Sequence, residues 1–201
     1  MISALGFGLY RQLSILFKLV TLYCPASFAS EVIFLMLSHF RGTNIAGYIV
    51  FFPTEVIFLS SIYYHLFTKK AMQRIVIVLS ASLFLVALIL YFINSKKWFG
   101  QVLPVASIVY VSYCMLYFYQ LISRPIESKI LSLGEFWLNG GILTYWTGSF
   151  VFFITINYFI KPNKPDPTIQ LLYAMLNLLQ YVVMGVSLYL NSRFRKSLYT
   201  N

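Results

Sequence analysis

The chain has 201 residues, 60% of them hydrophobic, 19% aromatic and only 10% charged, with a mean hydropathy of +0.78. A soluble domain carries roughly 45–50% apolar and 25% charged residues, so a water-soluble globule is excluded and the bilayer has to serve as solvent. Lys and Arg number 15 against 5 Asp and Glu, but these cations stand in ones, twos and threes between apolar runs, which marks membrane flanks and not a nucleic-acid-binding tract.

Crossing a hydrocarbon core of ~30 Å takes ~20 predominantly apolar residues in a helix. At the start of the chain, Met1 to Tyr10 is apolar but too short to span, and Arg11 and Lys18 interrupt any longer run, which suits an interfacial stub or a shortened first helix. Six runs then meet the length, at residues 16–39, 46–67, 75–94, 102–122, 136–160 and 168–190. Turn and charge chemistry separates them, as at Arg41-Gly42-Thr43-Asn44, Asn94-Ser95-Lys96-Lys97 and the proline-rich stretch from Lys161 to Pro167. The expected fold is all-α, a single polytopic transmembrane helical bundle of six spans with no soluble domain between them.

The first two spans carry the sharpest signal, the carboxylates Glu31 and Glu55. An ionisable group at mid-bilayer costs at least ~2.5 kcal/mol on insertion scales, so it normally faces the protein interior and often marks function. In an antiparallel hairpin turning near Thr43, residues 31 and 55 lie at similar depth and can face one another. Two facing carboxylates out of water share a proton or recruit a cation; alternatively, each is neutral and hydrogen-bonded to a neighbouring helix, fixing the packing. Pro25 and Pro53 fall within the same spans and free the carbonyls of Thr21 and Ile49.

The third span, from Ile75 to Ile93, has almost no polar stripe, so it is expected to face lipid most. On the fourth, Ser107, Tyr110, Tyr113 with Cys114, Tyr117, Gln120 and Arg124 recur at helical spacing and share one polar, aromatic face. Tyr173, Asn177 and Gln180 with Tyr181 form a similar stripe on the sixth. Such stripes turn toward the bundle, where they either glue helices together or line a pocket. On the fifth span Gly140, Thr144 and Gly148 lie four apart, a small-residue ridge for close helix approach. Trp98, Trp137, Tyr158 and Tyr189 stand at span ends, where amphipathic rings favour the membrane interface. Cys24 and Cys114 fall inside spans and are expected to be free thiols. Two Cys and two His do not give a zinc spacing, and no metal or cofactor is expected.

The stretch Phe136-Trp137-Leu138-Asn139, through Gly141-Ile142-Leu143-Thr144-Tyr145 and Gly148 to Asn157-Tyr158, resembles an uncharacterised group of small bacterial membrane proteins of the Bacteroidota type. The run from Glu55 to Tyr64 is similar to the second carboxylate helix of that group. The resemblance implies a seven-helix bundle, here with a truncated first helix, and a sensor kinase as a partner; it brings no established activity.

Loop charge supplies the orientation. Arg11, Lys18, Lys69, Lys70, Arg74, Arg124, Lys129, Arg193, Arg195 and Lys196 fall on one side, whereas Arg41, Lys96, Lys97, Lys161 and Lys164 fall on the other. The positive-inside rule puts the first set, and with it the C-terminus, in the cytoplasm, and the resemblance implies a bacterial inner membrane. The functional expectation is a non-enzymatic sensor or signalling partner, in which Glu31, Glu55, Tyr113, Tyr117, Trp146 and Asn177 surround a small or lipid-like ligand. A proton- or cation-coupled carrier using Glu31 and Glu55 is the alternative. A lipid-acting enzyme with those glutamates as acid and base ranks third, because no nucleophile–base pair or metal set accompanies them.

Overall fold

The computed structural model describes residues 13–41, 45–94, 98–123, 130–159 and 167–199. Six long helices account for nearly all of them: α1 Ile15–Arg41, α2 Ile45–Leu66, α3 Lys70–Asn94, α4 Trp98–Ile122, α5 Gly134–Phe159 and α6 Pro167–Tyr199, with a 3₁₀ turn at Ile130–Ser132 before α5. No strand occurs among the described residues. Four helices hold segments long and apolar enough to cross a bilayer, Ile49–Leu66, Lys70–Asn94, Gly100–Ile122 and Leu171–Arg193, and the protein is an all-α integral membrane protein. In α1 the apolar segment is shorter, Ile15–Ser30, and α5 is diluted by Asn139, Thr144, Thr147 and its glycines. Met1 to Gln12 lie outside the described residues.

The chain divides into two compact units, Met1–Phe99 and Gly100–Asn201. In the first, α2 packs against both α1 and α3. Its buried residues Phe52, Glu55, Val56, Leu59, Ile62, Tyr63 and Leu66 recur at three and four, the stripe that a 3.6-residue repeat places on one face. Both α1 and α2 continue as helices through Pro25 and Pro53. Only 17% of the α3 span is buried, the smallest share of the four, and Ile77, Val78, Leu85 and Phe92 are exposed along it, as its lack of a polar stripe suggests.

Two side chains close the ends of this unit. The Gln73 amide donates to the carbonyls of Tyr64 (3.2 Å) and Phe67 (2.9 Å), satisfying acceptors that the end of α2 leaves without helical partners. Trp98, at the start of α4, is buried: its indole donates to the Ala87 carbonyl at 2.6 Å, and its ring meets Phe52 edge-on at 5.6 Å.

In the second unit α5 packs on α6 at very close range. A Cβ on Gly141 would sit 2.8 Å from Val183, and one on Gly148 2.7 Å from a Leu176 methyl. Gly140 has open space around its Cα, and Thr144 is exposed, with its hydroxyl turned back to the Gly140 carbonyl. The ridge anticipated at 140, 144 and 148 is therefore offset, and the close approach runs through Gly141 and Gly148. Gly141→Ala should destabilise the protein by ~1–3 kcal/mol, because the branched Val183 cannot swing aside. Gly140→Ala should be neutral or stabilising by up to ~1 kcal/mol through helix propensity. Thermal unfolding of the two variants in the same detergent checks the contrast.

Candidate functional site

The residues singled out by sequence divide between the units. Glu31 lies on α1, but its side chain is outside the described residues, and so is its facing toward Glu55. Glu55 is buried at the α1–α2 seam, 7% exposed. Its carboxylate accepts a hydrogen bond from the Tyr23 hydroxyl at 3.3 Å, and the Tyr23 ring lies 5.9 Å from that of Phe58. Tyr23 precedes Glu31 by eight residues on α1 and was not marked by the sequence, since a lone tyrosine in an apolar run carries no signal. Cys24, beside it, is buried and outside any disulfide, as is Cys114.

Tyr113, Tyr117, Trp146 and Asn177 belong to the second unit. The α4 stripe turns inward as its periodicity requires: Ser107, Tyr110, Tyr113, Cys114, Tyr117 and Gln120 are all buried. It meets the face of α5 that carries Asn139, Trp146 and Ser149. The Asn139 amide donates to the Cys114 carbonyl at 3.2 Å, and the Cys114 thiol points back to the Asn139 carbonyl at 3.8 Å. This reciprocal clasp fixes the register of α4 and α5. About two turns further along α5, Trp146 packs on Tyr110 with ring centroids 4.4 Å apart. Toward α6, Tyr145 and Tyr173 share a hydroxyl–hydroxyl bond of 3.1 Å, and Phe152 stacks on Tyr173 at 4.8 Å. Asn177 is half-buried.

Within this core, Trp146 Nε1, Ser149 Oγ and Gln180 Nε2 are buried and lack any hydrogen-bond partner. Ser149 departs from its neighbours in kind. The hydroxyls of Thr21, Ser61, Ser80, Ser107, Thr144 and Thr155 each donate to the carbonyl four residues back in their own helix, the usual resolution for such side chains away from water. Ser149 makes no such bond with Tyr145. Each buried group left unsatisfied costs about 1–3 kcal/mol, so at each of these three donors an acceptor from outside the chain would be stabilising.

The same unit holds a wide, almost wholly apolar groove of about 760 Å³ between α5 and α6, with Gly148, Val151, Phe152, Met175 and Leu179 among its walls. Hydrocarbon chains of a bilayer fit such a surface. Among the described residues no group of three or more His, Cys, Asp or Glu gathers in one place.

The Tyr23–Glu55 bond generates a direct test. Tyr23→Phe should destabilise the protein by about 1–3 kcal/mol, since it removes a donor from a buried carboxyl. In a Glu55→Leu background the same change should cost less, leaving a coupling energy above ~0.5 kcal/mol in a double-mutant cycle of unfolding free energies. Additive effects would mean that the bond contributes nothing.

No family model matches this chain, and no curated protein or solved structure matches it either.

Proposed function

We propose that this integral membrane protein is a non-enzymatic sensor or signalling partner of a bacterial inner membrane, oriented with its C-terminus in the cytoplasm. The observation that carries the reading is the set of buried donors in the second unit. Trp146 Nε1, Ser149 Oγ and Gln180 Nε2 stand without acceptors in a core that also buries Tyr110, Tyr113 and Tyr117. Aromatic walls with a few unsatisfied donors suit a small or lipid-like molecule that is apolar along its body and presents a carbonyl or ether oxygen. The helices are joined by short connections, so the signal leaves through a membrane partner, of which a sensor kinase is the expected class.

Tagged protein recovered from native membranes tests this. Organic extracts of the wild type should contain a molecule that Trp146→Phe and Gln180→Leu each reduce at least fivefold, and pull-downs should recover one membrane signalling protein reproducibly. Extracts with no retained molecule, together with pull-downs that yield no such protein, would refute the reading.

Glu55 favours a second reading, a proton- or cation-coupled carrier, because a buried carboxyl held by a tyrosine hydroxyl is a group that can change its protonation or partner as helices move. Reconstituted vesicles should then show a pH- or ion-dependent flux that Glu55→Gln abolishes. A flux unaltered by that substitution would eliminate Glu55 as the coupling group.

A further inference from the structure

We infer that the α2–α3 turn of the first unit binds the phosphate headgroup of an anionic phospholipid, with a hydroxyl-lined groove between the two helices receiving the part of the lipid next to the phosphate. The groove is formed by Ser60, Ser61, Tyr64 and His65 of α2 with Val76, Ile77 and Ser80 of α3, and has a volume of about 270 Å³. That is below the ~300–1,000 Å³ typical of drug-sized ligands, so it takes a headgroup-sized fragment and leaves the acyl chains outside. They have a surface to lie on, since Ile75, Ile77 and Val78 of α3 are exposed.

Charge gathers at the mouth of this groove. Lys69 in the turn and Lys70 and Arg74 on α3 are exposed, and so is His65. Lys70, Arg74 and Ile77 follow each other at four and three residues, so the two cations share a helix face with a residue of the groove wall. No carboxylate lies close enough in sequence to neutralise them: Glu55 precedes His65 by ten residues, about 15 Å along a helix axis. Because α3 begins at Lys70, the positive end of its backbone dipole adds to the same field. The turn is also rigid where it matters, since Gln73 ties α3 to the last carbonyls of α2.

The position in the membrane selects a lipid over a soluble phosphate. Apolar spans end at Leu66 and restart at Lys70, so the turn lies at the bilayer surface, where basic clusters flanking spans attract anionic headgroups. Inward from the cations, the hydroxyls of Ser60, Ser61 and Ser80 line the groove. Ser60 and Ser80 share a 2.5 Å hydroxyl pair, and Ser61 donates to the Ile57 carbonyl, which leaves polar oxygen along an otherwise apolar wall. The inference rests on the first unit alone and is independent of the ligand proposed for the second.

The test uses the full chain in phosphatidylcholine nanodiscs doped with dioleoyl-phosphatidylglycerol, with retained lipid counted by native mass spectrometry. The wild type should retain phosphatidylglycerol at least fivefold over phosphatidylcholine. The triple variant Lys69→Gln, Lys70→Gln, Arg74→Gln should lose that preference. Ser61→Leu, which fills the groove and keeps every charge, should weaken it threefold or more, and Arg193→Gln should leave it unchanged. Equal melting temperatures in phosphatidylcholine alone establish that the variants are folded. Retention by the triple variant equal to the wild type would overturn the inference, as would displacement of the lipid by equimolar glycerol 3-phosphate, which would assign the site to a soluble phosphate.

Discussion

A bilayer core offers no water, so every polar group in a spanning helix has to find its partner within the protein. That constraint organises both units. In the first, the Glu55 carboxyl is placed on the buried face of α2, within reach of the Tyr23 hydroxyl, and Trp98 gives its indole proton to the Ala87 carbonyl. In the second, Asn139 and Cys114 exchange contacts across α4 and α5. Single interhelical bonds of this kind contribute roughly 0.6–2 kcal/mol, less than their frequency in the seams suggests. Their larger effect is on register, because a shift of one turn would leave both partners buried and unpaired.

The second unit solves helix packing in two different ways on the two sides of α5. Toward α6 the glycines at 141 and 148 bring the backbones so close that a methyl group would collide with Val183 or Leu176. Toward α4 the contact is made by large rings, with Trp146 on Tyr110. A glycine seam is dense and leaves little freedom to its neighbours, whereas rings meet at varied angles and leave gaps around their edges. Two of the three unsatisfied donors, on Trp146 and Ser149, belong to the α5 face that holds the ring contact. Their place there fits a site that an added molecule completes.

What could be read from the sequence follows from what a single helix determines. The 107–120 stripe on α4 turned inward as its spacing required, because a 3.6-residue repeat fixes one face from one segment, and the apolar span of α3 is the least buried of the four. Features that depend on two segments were not legible. Nothing in the chain distinguishes Gly140 from Gly141 until α6 is laid against them, and only the reach of two side chains makes Tyr23 the partner of Glu55. The contacts of Trp98 with Phe52 and the Ala87 carbonyl depend on other helices in the same way. Gln73 gave no signal either, since its role exists only when the end of α2 and the start of α3 are side by side.

The hydroxyls show how local satisfaction separates structural polar residues from those left available. A serine or threonine that bonds its own helix four residues back needs no second segment, so Thr21, Ser107 and Thr155 can sit in apolar helices without implying a function. Ser149 has the same option through the Tyr145 carbonyl and does not take it. A backbone acceptor within one turn is easier to reach than any other, so a buried hydroxyl that forgoes it is held in its rotamer by the packing around it. Ser149 is wholly buried and follows Trp146 by three residues, on the face of α5 that the Tyr110 ring meets.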